Sequence, residues 1–300
     1  MPSALVTRPI LVTRFAPSPT GHLHAGHAYS AGLAYLAAKA AHGRFLLRIE
    51  DIDATRCRPE LTDDLLADLT WLGLNWEEPV RRQSQHFDDY RAALDDLRRR
   101  GLLYPCFCTR KQVQEEIARI GAAPHGLDGV LYPGTCRQLS AAERTRRVAA
   151  GENHALRLDM AAALASLGDA AQHLHWHDER AGPQQATPDL LLQGIGDVVL
   201  ARKDTPASYH LCVTLDDALQ GITVIIRGED LFAATHLHRL LQALFGLPTP
   251  AYAHHALLLD ADGSRLAKRK GSKSLREMRL DGLQPAALWR QLGLRILDHG

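Results

Sequence analysis

The sequence lacks the features that would assign it to a membrane, a secretory pathway or an unstructured class. No apolar run in its 300 residues approaches the roughly 20 residues that a transmembrane helix needs. Residues 1–10 have no apolar core of the kind found in signal peptides. No internal repeat or low-complexity tract is present. We therefore expect a cytoplasmic globular protein with a substantial core and no membrane contact.

The chain also lacks an excess of charge of either sign. Its 35 Lys and Arg residues nearly balance 34 Asp and Glu residues, so bulk charge does not indicate a polyanionic partner. Any nucleic-acid site must then be a local patch. A basic run near the end of the sequence is the best candidate for contact with RNA or ATP, although such a run is often only a solvated face. Its members are Arg265, Lys268, Arg269, Lys270, Lys273, Arg276 and Arg279.

Cysteine is scarce, with five residues in the whole chain. An odd number does not fit a disulfide framework. Cys106, Cys108 and Cys136 lie close together in sequence and instead favour a small zinc site, because thiolates bind zinc well. Coordination chemistry makes His125 a natural fourth ligand, since imidazole is a common zinc ligand. The alternative is that these cysteines are ordinary buried apolar residues.

Strand and helix signals alternate along the chain and predict an α/β fold. Residues 10–15 are β-branched and apolar, a cluster of Pro, Ser and Gly follows, and the alanine-rich residues 27–41 favour a helix. A helix start of this kind binds anions through its unsatisfied backbone N–H groups and its dipole. We expect phosphate there, with His24 and His27 as additional donors.

A series of ordered blocks resembles one known family. Arg14–Gly21 followed by His24–His27 is similar to the opening of the glutamyl-tRNA synthetases, whose nucleotide signature is His-Ile-Gly-His. Further blocks in the same order are Arg48–Asp53, Leu215–Asp217, Gly221–Thr223, Ile226–Leu231 and Arg265–Arg269. A lone His-x-Gly-His would be weak, but several ordered blocks are not a chance match. The resemblance implies a ligase of the aminoacyl-tRNA synthetase type.

The resemblance also implies a domain plan, an α/β class I Rossmann-type catalytic fold with an inserted zinc-containing α+β subdomain. Residues 1–101 would form the first half of the nucleotide-binding fold, and residues 102–193 the insertion, which in such enzymes holds the end of the RNA. Residues 194–260 would form the second half. Residues 261–300 would carry the lysine loop and a C-terminal helical segment, without an anticodon-binding domain. In this plan the fourth zinc ligand is Tyr132, rather than His125.

The resemblance implies a glutamate site. Guanidinium groups suit carboxylates through bidentate hydrogen bonds, and Glu50 would accept from the substrate ammonium. Taken alone, Arg14 and Glu50 would be read as an ordinary surface ion pair. The residues that match the family's glutamate site are Arg14, Phe15, Ala16, Pro17, Ser18, Glu50, Tyr209 and Arg227.

The resemblance likewise implies an ATP site formed by His24, Gly26, His27 and Lys268. His24, His27 and Lys268 would be catalytic and would stabilise the charge that builds up as pyrophosphate leaves, with Mg²⁺ as its counter-ion. The lysine loop departs from the family's usual pattern, because Arg265 stands for Lys and Ala267 for Ser. Ala267 lacks a hydroxyl, but Lys268 is retained, so we still expect activation.

The length of the chain and the order of its segments resemble the short glutamyl-Q branch of the family. We therefore expect a monomer that activates glutamate with ATP to glutamyl-adenylate. The glutamyl group would then be transferred to queuosine in the anticodon loop of tRNA(Asp). The alternatives are a truncated glutamyl-tRNA synthetase that charges the 3′ end of tRNA, and a noncatalytic RNA-binding paralogue.

Overall fold

The computed structural model describes residues 10–120, 125–127, 129–258 and 273–296. The first predicted strand and helix are present as β1 (Val12–Phe15) and α1 (Ala25–Ala40). Strands and helices continue to alternate, which confirms the predicted α/β class. Lys268, Arg265 and Ala267 lie outside the described residues. No helix of the described part is both long and apolar enough to cross a membrane.

The first half of the fold is a parallel sheet of three strands in the order β1-β2-β3. Its strand β2 carries a run of buried apolar side chains, as expected for a parallel strand that is covered on both faces. The other elements of this half are β2 (Arg44–Ile49), α2 (Pro59–Trp71), β3 (Glu77–Arg82) and α3 (Phe87–Arg99).

The turn between α1 and β2 depends on Gly43. A Cβ atom at this position would lie 2.1 Å from the carbonyl oxygen of Leu11, a distance that no side chain tolerates. The backbone of Arg44 also donates to that carbonyl, at 2.8 Å. Glycine therefore allows β2 to begin directly beside β1, which sets the register of the sheet at the site described below.

The second half contains a four-stranded sheet in the order β11-β12-β8-β9, parallel except for β9. Thr223 joins the two sheets, because the N–H of Val12 donates to its Oγ1 at 2.8 Å and its own N–H donates to the carbonyl of Val12 at 3.0 Å. The elements are β8 (His175–Asp178), β9 (Gly182–Gln185), α7 (Tyr209–Leu219), β11 (Val224–Gly228), α8 (Ala234–Phe245) and β12 (Ala251–His255).

Between α3 and α7 lies a separate antiparallel sheet in the order β10-β7-β4. Strand pairing crosses the boundary that we predicted at residue 193. Strand β10, which follows this boundary, pairs with β7, which precedes it. Strands β8 and β9, which also precede it, belong to the sheet of β12. The elements here are β4 (Leu103–Cys106), α4 (Arg110–Ile120), β5 (His125–Gly126), β6 (Gly129–Val130), α5 (Ala141–Ala149), β7 (Ala155–Leu158), α6 (Met160–Leu167) and β10 (Val199–Ala201).

Two short helices near the end of the chain, α9 (Leu275–Leu280) and α10 (Pro285–Gln291), pack back onto the first half. Basic side chains of α9 pair with carboxylates of α2. Arg276 contacts Asp64 and Arg279 contacts Asp68, both at 3.1 Å. The described part of the predicted basic patch is therefore engaged within the protein and fixes α9 on α2.

Candidate active site

A cavity of about 570 Å³ opens at the carboxyl ends of β1, β2, β11 and β12. Parallel α/β sheets bind ligands at this edge. The chain therefore brings the predicted site residues of the described part into one place, although the sequence separates them by more than 200 positions. The predicted residues that line the cavity are Arg14, Phe15, Ala16, Pro17, Ser18, His24, Gly26, His27, Glu50, Tyr209 and Arg227.

The start of α1 forms one wall of this cavity. His24 is the N-cap residue, and its Nδ1 accepts from the N–H of Gly26 at 3.1 Å. The Nδ1 of His27 accepts from the N–H of His24 at 3.2 Å, which completes a capping box. Because each Nδ1 is an acceptor, a neutral ring carries its proton on Nε2. The helix start thus combines the positive end of the helix dipole with two oriented imidazole donors, an arrangement suited to phosphate.

A buried ion network lies under the cavity. Arg48 is fully buried, and its guanidinium donates to Asp217 at 2.7 Å and to Glu50 at 3.1 Å. Arg14 donates to the same Asp217 at 3.0 Å. Burial alone would lower the pKa of Arg48, but the surrounding carboxylates, Asp217 foremost, hold it above its ordinary value.

Glu50 is the carboxylate of this network that reaches the cavity. Burial raises its pKa, and the nearby charges of Arg48 and Arg14 only partly oppose that effect. The pKa of Asp217, by contrast, is lowered, because Arg14 and Arg48 outweigh the effect of burial. A buried carboxylate that is stabilised less well than its neighbour gains from a further cation, so Glu50 is suited to accept an ammonium group.

Arg227 has a different environment from Arg14. Its guanidinium is buried, with 5% of the residue exposed, and donates to neutral acceptors. These are His254 Nε2 at 3.1 Å, Thr235 Oγ1 at 2.6 Å and the Leu231 carbonyl at 3.1 Å, with His238 Nδ1 at 3.4 Å. No carboxylate of the described residues forms an ion pair with it. A buried cation without an anionic partner is costly unless a ligand supplies one, so Arg227 is suited to a carboxylate ligand.

His254 links Arg227 to a buried carboxylate on β8. Its Nδ1 lies 2.7 Å from Asp178 Oδ2, while its Nε2 accepts from Arg227. The proton therefore lies on Nδ1 and is donated to Asp178. Burial, together with the charge of Arg227, lowers the pKa of His254 to about 4. The imidazole stays neutral at physiological pH and can hold Arg227 without repelling it.

The predicted zinc ligands also lie together, below β4. The sulfur atoms of Cys106, Cys108 and Cys136 all lie within 4.8 Å of one another. The hydroxyl of Tyr132 is 3.5 Å from both Cys106 Sγ and Cys108 Sγ, and Cys108 Sγ is 3.4 Å from Cys136 Sγ. Neighbouring ligands on a zinc tetrahedron with bonds of about 2.3 Å are about 3.8 Å apart. The four groups therefore have a spacing that fits a tetrahedral metal ion.

The protonation of the thiols fits the same interpretation. Burial would raise the pKa of Cys136, but hydrogen bonds from Tyr132 and from the N–H of Phe107 outweigh it and lower the pKa. Burial raises the pKa of Cys108 to about 11. Thiolate is the form that binds metal, so one thiol is already disposed to ionise and the other needs a bound cation to do so.

Residues 10–299 match the family model described as tRNA synthetases class I (E and Q), catalytic domain. The chain belongs to this family. A class I tRNA synthetase is a ligase, so the predicted enzyme class is confirmed.

Individual relatives indicate which branch of this family the chain resembles. The chain is 48% identical to a protein of Rhodobacter capsulatus named glutamyl-Q tRNA(Asp) synthetase, over 95% of this chain and 100% of the relative. It is 44% identical to a protein of the same name from Symbiobacterium thermophilum, over 92% of this chain and 83% of the relative. The predicted resemblance of this synthetase to the glutamyl-Q branch is thereby confirmed.

A solved structure supports the fold. The glutamate–tRNA synthetase from Elizabethkingia anophelis superposes with a TM-score of 0.76 at 25% identity, over 94% of this chain. The match covers 61% of that protein, so the present chain spans about three fifths of its length. The class I synthetase catalytic fold that we predicted is therefore confirmed.

Several residues of this synthetase site escaped the sequence analysis. Arg48 and Asp217 appeared only as parts of matching blocks, without a role, and Asp178, His238 and His254 were not singled out. Two adjacent aspartates in an otherwise apolar helix and a histidine inside an apolar strand are signals of buried polar networks. Histidine is frequent in this chain, with 16 residues, so that second signal was weak.

The depressed pKa of His254 predicts how stability depends on pH. Between its ordinary value of 6.5 and about 4, the unfolded chain binds a proton that the folded His254 does not bind. The free energy of unfolding should therefore fall as pH is lowered through this range. His254→Asn keeps a donor to Asp178 and removes the titrating group, so its stability should fall less steeply. Urea unfolding at pH 7, 6 and 5 measures the difference.

Exposed His177 on β8 supplies the control for that comparison. His177→Asn should follow the wild-type slope, because its ring is in solvent in the folded and the unfolded chain. Parallel curves for the wild type and His254→Asn would contradict the assigned protonation state.

Proposed function

We propose that this synthetase activates glutamate with ATP and transfers the glutamyl group to queuosine in tRNA(Asp). The observation that carries the activation step is the arrangement of charge in one cavity. Arg227 lacks an anionic partner in the described residues, and Glu50 is a buried carboxylate disposed to accept a cation. Glutamate presents matching groups, a carboxylate and an ammonium. The names of the relatives support the choice of the transfer acceptor.

In the proposed Michaelis complex, Arg227 and Arg14 bind the side-chain carboxylate of glutamate. Glu50 accepts a hydrogen bond from the ammonium group of the substrate. Burial raises the pKa of Tyr209, so its neutral phenol can donate or accept beside them. The α-carboxylate is left free to attack the α-phosphate of ATP. A mixed anhydride forms between that oxygen and phosphorus, and the bond to pyrophosphate breaks.

The helix start supports the departure of pyrophosphate. His24 and His27 line the cavity at the positive end of the α1 dipole, and their Nε2 protons would stabilise the developing negative charge. Lys268 remains a predicted partner in this step and lies outside the described residues. Mg²⁺ would neutralise the leaving pyrophosphate. Catalysis then consists of positioning and electrostatic stabilisation, without a covalent enzyme intermediate.

In the second step a hydroxyl of the queuosine diol attacks the carbonyl carbon of glutamyl-adenylate. An ester forms, the bond to AMP breaks, and the hydroxyl proton leaves with the phosphate group. That the protein acts as a monomer stays a prediction.

Two transfer assays test this choice of substrate. The synthetase should form adenylate with ATP and labelled glutamate in the absence of tRNA. It should then label tRNA(Asp) that contains queuosine but not the same tRNA with unmodified guanosine. Removal of the terminal adenosine should change little. Transfer that requires the terminal adenosine and ignores queuosine would identify a truncated glutamyl-tRNA synthetase, and absence of pyrophosphate exchange would identify a noncatalytic paralogue.

We further propose that Cys106, Cys108, Tyr132 and Cys136 hold a structural zinc ion. The support is the donor set and its spacing, described above. A zinc ion in this position would tie β4 to the segment that contains Tyr132 and Cys136. It would thereby fix these two segments of the insertion to each other.

The zinc proposal predicts about one zinc ion per purified chain, because structural zinc contributes folding free energy directly. Cys136→Ser should lower the zinc content and the thermal stability together. Cys212→Ser is the matched control, since Cys212 is a buried thiol of the main core, and its zinc content should stay at the wild-type level. Elemental analysis that finds no zinc in fully folded wild-type protein would leave the cysteines as core residues.

A further inference from the structure

Arg157 lies over the ring of Tyr132, one of the four proposed zinc ligands. Its guanidinium carbon is 3.8 Å from the centroid of that ring, well inside the distance of about 6 Å at which an aromatic face attracts a cation. We propose that Arg157 is a positioning residue of the zinc site, which holds the Tyr132 ring and balances the charge of its oxygen when that oxygen binds zinc as phenolate. The phenol proton passes to solvent, as it does when other protein ligands bind a metal. This inference rests on the zinc site proposed above and assigns a role to a residue outside the ligand set.

The antiparallel sheet of the insertion fixes the position of Arg157. Arg157 lies on β7, the central strand, and pairs with Tyr104 of β4 and with Val199 of β10. Two positions away in the same ladder, Ala155 of β7 pairs with Cys106 of β4. Side chains two residues apart in a strand point to the same face of the sheet. The face that carries one zinc ligand therefore also carries the arginine that packs on another.

No carboxylate of the described residues forms an ion pair with Arg157, which is half-buried. Its Nη1 donates to the backbone carbonyl of Asp197 at 2.9 Å, and its buried Nε has no hydrogen-bond partner among the described residues. The carboxylate of Asp197 is instead bound by Arg137 at 3.1 Å and by the Tyr104 hydroxyl at 2.5 Å. A partly buried cation is stabilised by a nearby anion, and a zinc-bound Tyr132 would supply one.

The proposed ligand set has an excess of negative charge. Zinc carries two positive charges, whereas three thiolates and a phenolate together carry four negative ones. Cys106 and Cys136 are buried, so water does little to stabilise this excess. The Tyr132 oxygen accepts from the N–H of Cys136 at 2.8 Å, a contact that favours an anionic oxygen. A guanidinium stacked on the ring of Tyr132 acts in the same direction.

A second arginine of the insertion provides a comparison. Arg147 stacks on Phe107, with its guanidinium carbon 4.0 Å from the ring centroid, nearly the distance found for Arg157. Phe107 has no ligand atom, and Arg147 forms an ion pair with Glu152. The two arginines therefore share a stacking geometry and differ in whether the ring beneath them belongs to a proposed ligand.

The test is the zinc affinity of Arg157→Gln, which removes the charge and keeps a hydrogen-bonding amide. In competition with the chelator EDTA, zinc affinity should fall by about tenfold or more, the scale for loss of an outer partner of a metal ligand. The near-ultraviolet band of tyrosinate should be present in zinc-loaded wild type, absent from zinc-loaded Tyr132→Phe and weaker in Arg157→Gln. Arg147→Gln is the matched control and should change zinc affinity by no more than about threefold, since a partly exposed ion pair contributes little.

A double-mutant cycle shows whether Arg157 acts through Tyr132, even where the single variant is less stable. In the Tyr132→Phe background, which lacks the phenolate, Arg157→Gln should change zinc affinity by no more than about twofold. A loss in that background as large as in the wild-type background would overturn the proposal. Equal losses in Arg157→Gln and Arg147→Gln would also overturn it.

These outcomes are distinct from failure of the zinc proposal. Fully folded wild-type protein that holds no zinc would remove the site itself. If wild-type protein holds zinc, and Arg157→Gln holds it equally well with an unchanged tyrosinate band, the zinc site stands and the role of Arg157 is wrong. Zinc-loaded wild type without a tyrosinate band would likewise overturn that role.

Discussion

The contact of Arg48 with Asp217 is the interaction on which the site depends. It joins β2 to α7 across 169 positions of sequence, at 2.7 Å, in a fully buried environment. Arg14 binds the same carboxylate, and Glu50 is held by the same guanidinium. Removing one partner would leave an uncompensated buried charge, which costs several kcal/mol, on the order of 3–5. The two halves of the catalytic fold and the orientation of Glu50 are therefore set together.

The same network creates an electrostatic difference between two arginines of one cavity. Arg14 is neutralised by Asp217, whereas Arg227 is surrounded by neutral acceptors. Two of these acceptors, His254 and His238, are neutral because they are buried. Burial lowers the pKa of each imidazole and so keeps it deprotonated. The positive charge of Arg227 is thus preserved for a ligand, and the oriented hydrogen bonds limit the rearrangement needed when the ligand binds.

Much of the site could be predicted from the sequence, because short blocks that resemble the family identify its residues one segment at a time. The start of α1, Arg14 and Arg227 are of this kind, and the fold brings them to one edge of the sheet. The partners of these residues could not be predicted. Asp217 pairs with Arg14 across 203 positions, and neither periodicity nor composition records such a contact. Strand pairing was equally hidden, because β10 pairs with β7 across more than 40 positions and no local pattern records that contact.

The most direct test of the account concerns Arg227 and uses pyrophosphate exchange as a function of glutamate concentration. Arg227→Gln keeps a hydrogen-bonding amide but removes the charge that we assign to the substrate carboxylate. The KM for glutamate should rise by about tenfold or more, the value expected for one charged hydrogen bond, while the KM for ATP changes little. Arg44→Gln, at an exposed ion pair with Glu77, is the control and should resemble wild type. An unchanged glutamate KM in Arg227→Gln would contradict the assignment.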